Sequence, residues 1–133
     1  MTASRFQDLV EIGNHFVAAL THQAWAELAA CLDDAVQFRA LVPGGLRTAD
    51  DRQSAVDYFR KWFGGADQLM LLCSEVQPMQ DRLHLAYRLR AHKDQWYIVE
   101  QQAYCMVQAG WIKQIDVLCS GFRPESESNQ ARM

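Results

Sequence analysis

The chain reads as an α+β domain: three helices packed on a curved antiparallel sheet. Two observations predict this. As far as Phe63 the apolar residues recur mainly at helical steps, and from Gln68 onward they alternate with a period of two. Four strand candidates then follow one another across QPMQD, KD and AG, connections short enough for hairpins, so neighbouring strands should pair antiparallel.

The first helix is carried by Phe6, Leu9, Val10, Gly13, Phe16, Val17 and Leu20, which form one stripe, and Ser4 with Gln7 has the form of a capping box at its start. Thr21 can cap a shorter second helix that buries Trp25, Leu28, Ala29 and Leu32. Asp33-Asp34 breaks the pattern, and Ala35 to Leu41 alternates as a first strand. Val42 to Asp50 reads as a turn-rich loop around Pro43-Gly44-Gly45. Thr48 or Asp50 can cap a third helix to about Phe63, with Ala55, Val56, Phe59 and Phe63 inward, Tyr58 and Trp62 on its flank, and Gly64-Gly65 as its stop. The strands are Leu69 to Gln77, Arg82 to His92, Gln95 to Gln108 and Trp111 to Phe122. Two of them are long enough to favour a strongly curved, bulged sheet. Residues 1–123 form one domain in this reading, and the polar stretch 124–133 is a disordered tail.

Composition narrows the function classes. A chain of 133 residues, half of them hydrophobic and 22% charged, suits a single globular domain with a modest core. A net charge of -3 without a basic cluster argues against nucleic acid, since Arg88, Arg90 and Lys93 alternate on a strand beside Asp94 and Glu100. No apolar run approaches the roughly 20 residues of a membrane helix, and no secretory signal opens the chain, so the cytoplasm is the expected location. Cys31, Cys73, Cys105 and Cys119 stand singly, which reads as reduced thiols rather than a zinc site. The four histidines share no inward face at ligand spacing, so neither a metal nor a cofactor is expected.

The strand faces single out the candidate site. Leu83, Leu85, Tyr87 and Leu89 share one face of their strand; Tyr97, Val99, Gln101, Ala103, Cys105 and Val107 share one face of the next. Gln101 is an amide in an apolar row, either a satisfied core group or a pocket group that orients a ligand. Tyr87 can present its hydroxyl to the same space. The opposite face carries Trp96, Ile98, Tyr104 and Met106, which predicts a homodimer through the outer sheet. Asp116 is the acid inside the last strand; strict alternation puts it with Ile112, Gln114 and Leu118, opposite the apolar set Ile115, Val117 and Cys119, and one bulge would reverse that choice.

The order of elements, with AVQFRALVPGGLRTADDRQSAVDYFRKWF, VEQQAYCMV and AGWIKQIDVLCSGFRP, resembles the nuclear-transport-factor-2-like superfamily, which includes the SnoaL-like polyketide cyclases and ketosteroid isomerase. The resemblance covers about residues 5 to 123. It implies a cone whose sheet wraps the helices around an internal apolar pocket. It also implies a small apolar ligand, acid–base chemistry at Asp116, and dimers through the outer sheet face. The chain departs from the cyclase pattern in lacking an inward histidine, and Phe16 stands where the isomerase comparison would seek a tyrosine. Two functions follow. One is an isomerase, cyclase or lyase acting on a small carbonyl compound, with Asp116 as base and Tyr87 and Gln101 as donors. The other is a non-catalytic module that binds a ligand or pairs with another protein. In either case Tyr58, Trp62, Tyr87 and Gln101 should converge on one cavity.

Overall fold

The computed structural model describes residues 2–126, with side chains from Asp8 onward. Its elements run α1 (Thr2–Thr21), α2 (Trp25–Ala29), β1 (Leu32–Val42), β2 (Gly45–Ala49), α3 (Arg52–Phe63), β3 (Gln68–Met79), β4 (Arg82–Lys93), β5 (Gln95–Gln108), β6 (Trp111–Cys119) and β7 (Arg123–Pro124). The three helices pack on one curved, unclosed sheet in the order β2-β1-β6-β5-β4-β3, with β7 pairing β5. No helix among the described residues is long and apolar enough to cross a membrane.

The meander from β3 to β6 is antiparallel throughout, as the short connections require. The sheet as a whole is mixed, because β1 runs parallel to β6. Hairpin length fixes the sense of neighbours in sequence; β1 and β6 are separated by α3 and four strands, so nothing in the connections dictates theirs. The loop expected at Val42 to Asp50 contains a strand instead: β2 folds back on β1, pairing Leu41 with Leu46 and Arg39 with Thr48. Gly45, at φ +124°, makes the reversal.

Helix ends differ from expectation in detail. α1 runs from Thr2, so Ser4 and Gln7 lie within its first turns, and their side chains fall outside the described residues. Thr21 does not cap α2; its hydroxyl donates back to the carbonyl of Val17, 2.8 Å away. The cap of α3 is Asp51, whose carboxylate accepts from the backbone and the hydroxyl of Ser54. Pro124 belongs to β7, and Glu125 is bound by Arg90, so the head of the expected tail is tied to the sheet; residues 127–133 lie outside the described residues.

The core lies between the helices and the inner face of the sheet. Phe16 from α1, Phe59 and Phe63 from α3, and Phe38 from β1 are fully buried there. α1 approaches closely at Gly13, where a Cβ would stand 2.6 Å from Val76 Cγ1. A bulge shapes β6: Met106 pairs Gln114 while Val107 pairs Ile112, which leaves Lys113 as the extra residue. Ile112 and Ile115 therefore both reach the core, three residues apart.

Candidate functional site

Tyr87 on β4 and Gln101 on β5 are register partners on the inner face, between Ser74 of β3 and Cys119 of β6. The Tyr87 hydroxyl donates to Gln101 Oε1 at 2.6 Å. Gln101 is 1% exposed, and its Nε2 has no hydrogen-bond partner among the described residues. Turning the amide over would leave its oxygen alone instead, and would cost the tyrosine its acceptor. One end of a buried amide thus stands unpartnered in either orientation, a state that costs about 1–3 kcal/mol. Desolvation, with smaller effects from Cys105 and Cys119, pushes the Tyr87 phenol well above its ordinary range, so it stays a neutral donor. The site is one free amide donor, held by a tyrosine, in an apolar wall.

Tyr58 and Trp62 do not reach this pair. Tyr58 stacks on Phe38 at 5.4 Å, and Trp62 lies edge-on to Phe59 at 5.6 Å. Phe59 then meets Phe16, which meets Tyr87 at 6.3 Å, so two phenyl rings stand between Trp62 and Tyr87. The cavity expected at the centre of the cone is filled along this line by rings. Each of these residues belongs to an apolar stripe that periodicity finds, but periodicity says nothing about how much space is left between stripes.

Asp116 points to the outer face. Arg39 Nε donates to its Oδ1 at 2.9 Å and Gln114 Nε2 to its Oδ2 at 3.2 Å. The bulge at Lys113 is the physical reason: it turns Ile112 inward and leaves strict alternation intact from Gln114 to Leu118. As the expected base, Asp116 is on the wrong side of the sheet to meet Tyr87 and Gln101. The imidazoles are also elsewhere. His84 stacks on the exposed Tyr104 at 4.6 Å, His92 bonds Asp67, and His15 bonds Glu27. Among the described residues Gln101 is the polar or charged side chain classed with the buried core.

A groove of about 510 Å³ lies on the side of the sheet that carries Arg88, Glu100, Gln102 and Leu118, and Tyr87 and Gln101, which sit between those rows, also line it. Arg88 and Glu100 are paired across it at 2.7 Å. Of the four expected interface residues, Tyr104 is 55% exposed, whereas Trp96, Ile98 and Met106 are half-buried. The Arg90 guanidinium covers Trp96 at 3.8 Å. A row that the sequence reading missed is more exposed: Leu46, Leu41 and Leu118 are register neighbours on β2, β1 and β6, each at least half exposed. The alternation within LRTA was the available signal, and the glycines before it masked a strand as a loop.

No family model matches the chain, and no curated protein sequence matches it. Solved structures do. A candidate polyketide cyclase of Xanthomonas campestris pv. campestris is similar at 15% identity and TM-score 0.71, over 86% of this chain and 91% of that one. An LEH-like epoxide hydrolase of M. tuberculosis is similar at 10% identity and TM-score 0.68, over 86% and 84%. A Catenulispora acidiphila protein with a ketosteroid isomerase-like fold, in complex with trimethylamine, is similar at 12% identity and TM-score 0.67, over 83% and 85%. What is shared at such identities is the fold, and the chain has the nuclear-transport-factor-2-like fold.

Proposed function

We propose that this chain is a small-molecule-binding protein, without acid–base catalysis, whose ligand is compact, largely apolar and bears an acceptor oxygen such as a carbonyl. The observation that carries this reading is the unpartnered amide nitrogen of Gln101, 1% exposed and fixed by the Tyr87 hydroxyl. A ligand oxygen would supply the missing acceptor, while Val99, Ala103 and Cys105 on the same face give apolar contact. Proton transfer would need a base in reach of the ligand, and Asp116 lies across the sheet, bound to Arg39. Neighbours in fold that are named as hydrolase or cyclase, and one that holds trimethylamine, support small-molecule binding in general terms.

The test uses 4-fluoroacetophenone followed by fluorine NMR, with 1-ethyl-4-fluorobenzene as the same shape without the carbonyl. The ketone should bind the wild-type protein and be released by Gln101→Leu, and the hydrocarbon should bind weakly to both. Equal binding of the two probes, or ketone binding untouched by Gln101→Leu, would overturn the reading.

A second reading, self-association through the outer sheet, is favoured by the row Leu46, Leu41 and Leu118 beside the exposed Tyr104. Sedimentation at micromolar concentration should find a dimer that Leu118→Asp dissociates. A monomeric wild type would remove this reading and leave the first intact.

A further inference from the structure

We propose that residues 121–125 form a strap that gates the approach to Gln101; its purpose rests on the ligand-binding reading, but its motion does not. Gln101 is shut inside the closed structure, so a ligand reaches it only if some element moves. The strap is placed to be that element. It leaves β6 at Gly121, whose φ of +81° is open to glycine and strained for other residues. The Gly121 N–H donates to Cys119 Sγ at 3.4 Å, and Cys119 is the register partner of Gln101. Moving the strap therefore further exposes the half-buried Cys119, a side chain that stands next to the orphaned amide.

Phe122 acts as the plug. Its ring lies 5.4 Å from Phe63 at the end of α3 and 6.4 Å from Tyr97, and the Lys93 ammonium sits 3.9 Å from the ring centre. Lys93 also donates to the carbonyl of Trp62 at 2.6 Å, which ties the plug's rim to the helix. Beyond the plug the strap pairs with the sheet over two residues, Arg123 with Ile98 and Pro124 with Tyr97. Glu125 then forms a two-pronged bond with Arg90 at 2.5 and 3.0 Å, and Arg90 is itself laid over Trp96. The ladder of β4 with β5 extends over twelve residue pairs, so a two-residue pairing closed by a part-buried ion pair is the cheaper of the two to open. Glycine is the hinge, Phe122 the plug and Arg90 with Glu125 the latch.

Thiol labelling reads the motion without any ligand. Wild type, Glu125→Gln and Phe122→Ala are treated with N-ethylmaleimide, and the modified peptides are resolved by mass spectrometry. Loosening the latch should speed modification of Cys119 by up to about fivefold, the range of a lost partly exposed ion pair, and removing the plug should speed it at least as much. Cys31 is the internal control: buried far from the strap, its thiol is pushed up to about 11 chiefly by desolvation, so it should stay unmodified. The association rate of 4-fluoroacetophenone should rise with the Cys119 rate. An unchanged Cys119 rate in both variants overturns the gate, and so does equal acceleration at Cys31, which reports global opening. A raised ketone affinity at an unchanged association rate also overturns it. Faster Cys119 labelling with no ketone binding in any variant upholds the moving strap and overturns the ligand.

Discussion

Replacing Tyr87 by Phe and Gln101 by Leu separates a ligand site from an ordinary core amide, because the two changes oppose each other in a calculable way. Tyr87→Phe alone removes the donor to Gln101 Oε1 and leaves both ends of the buried amide unpartnered, at a cost on the order of 1–3 kcal/mol. Gln101→Leu alone removes the orphaned nitrogen but strands the Tyr87 hydroxyl, two effects of similar size and opposite sign. It should therefore change stability by less than about 1 kcal/mol. The double variant removes every polar atom of the pair from an apolar wall. It should be more stable than wild type by roughly 1–2 kcal/mol, or about 3–8 °C in Tm for a chain of this size. Thermal and urea unfolding of all four proteins closes the cycle. A double variant less stable than wild type would mean that the amide is fully satisfied in its surroundings, and the reasoning for a ligand donor would fail. A double variant that gains stability and still binds the ketone would fail it equally.

Other expectations follow from the same geometry. Asp51 is held below the usual carboxylate range, first by the backbone N–H of Ser54 and then by its hydroxyl. A depressed carboxyl stabilises above its unfolded value and loses that contribution as pH falls through the folded one. The Tm advantage of wild type over Asp51→Ala should thus be full at neutral pH and shrink below about pH 4, with a pH-independent difference counting against the cap. Gly13→Ala gains about 1 kcal/mol of helix propensity, yet its Cβ would press on the stiff Val76 at 2.6 Å. Net destabilisation of about 1–2 kcal/mol in urea is expected, and a neutral result would mean that α1 shifts freely on β3. Asp116→Asn should leave ketone affinity unchanged within about twofold and Tm within about 2 °C, since it alters an outer-face ion pair; a large loss of affinity would return Asp116 to the site.

Most of the fold was legible because local rules govern most of it. The β5 limits Gln95–Gln108 coincide with the alternation, and α3 ends at Phe63 before a double glycine. What escaped was set by non-local packing. The parallel β1–β6 pair and the β2 return depend on which strand is available as a neighbour, which no period records. The pairing of Tyr87 with Gln101 was readable from their matching faces, and the outward Asp116 from strict alternation, although Ile112 departs from that alternation because the bulge at Lys113 turns it inward. The separation of Tyr58 and Trp62 from that pair could not be read, because it depends on how Phe16 and Phe59 fill the volume between the layers. Side-chain volume in three dimensions decides that, and sequence spacing does not carry it.

If the free N–H groups of Gln101 serve a ligand's oxygen, their own NMR signals must respond to it. In nitrogen-15-labelled protein, the Gln101 side-chain amide is assigned by its loss in Gln101→Leu and followed while 4-fluoroacetophenone is added. This pair of resonances should shift downfield in proton and saturate at the same ketone concentration as the fluorine signal. The side-chain amides of Gln102 and Gln114, which lie on the outer face, should not move. Gln101 resonances that stay fixed while the ketone binds, or that move only together with those outer amides, would contradict that role.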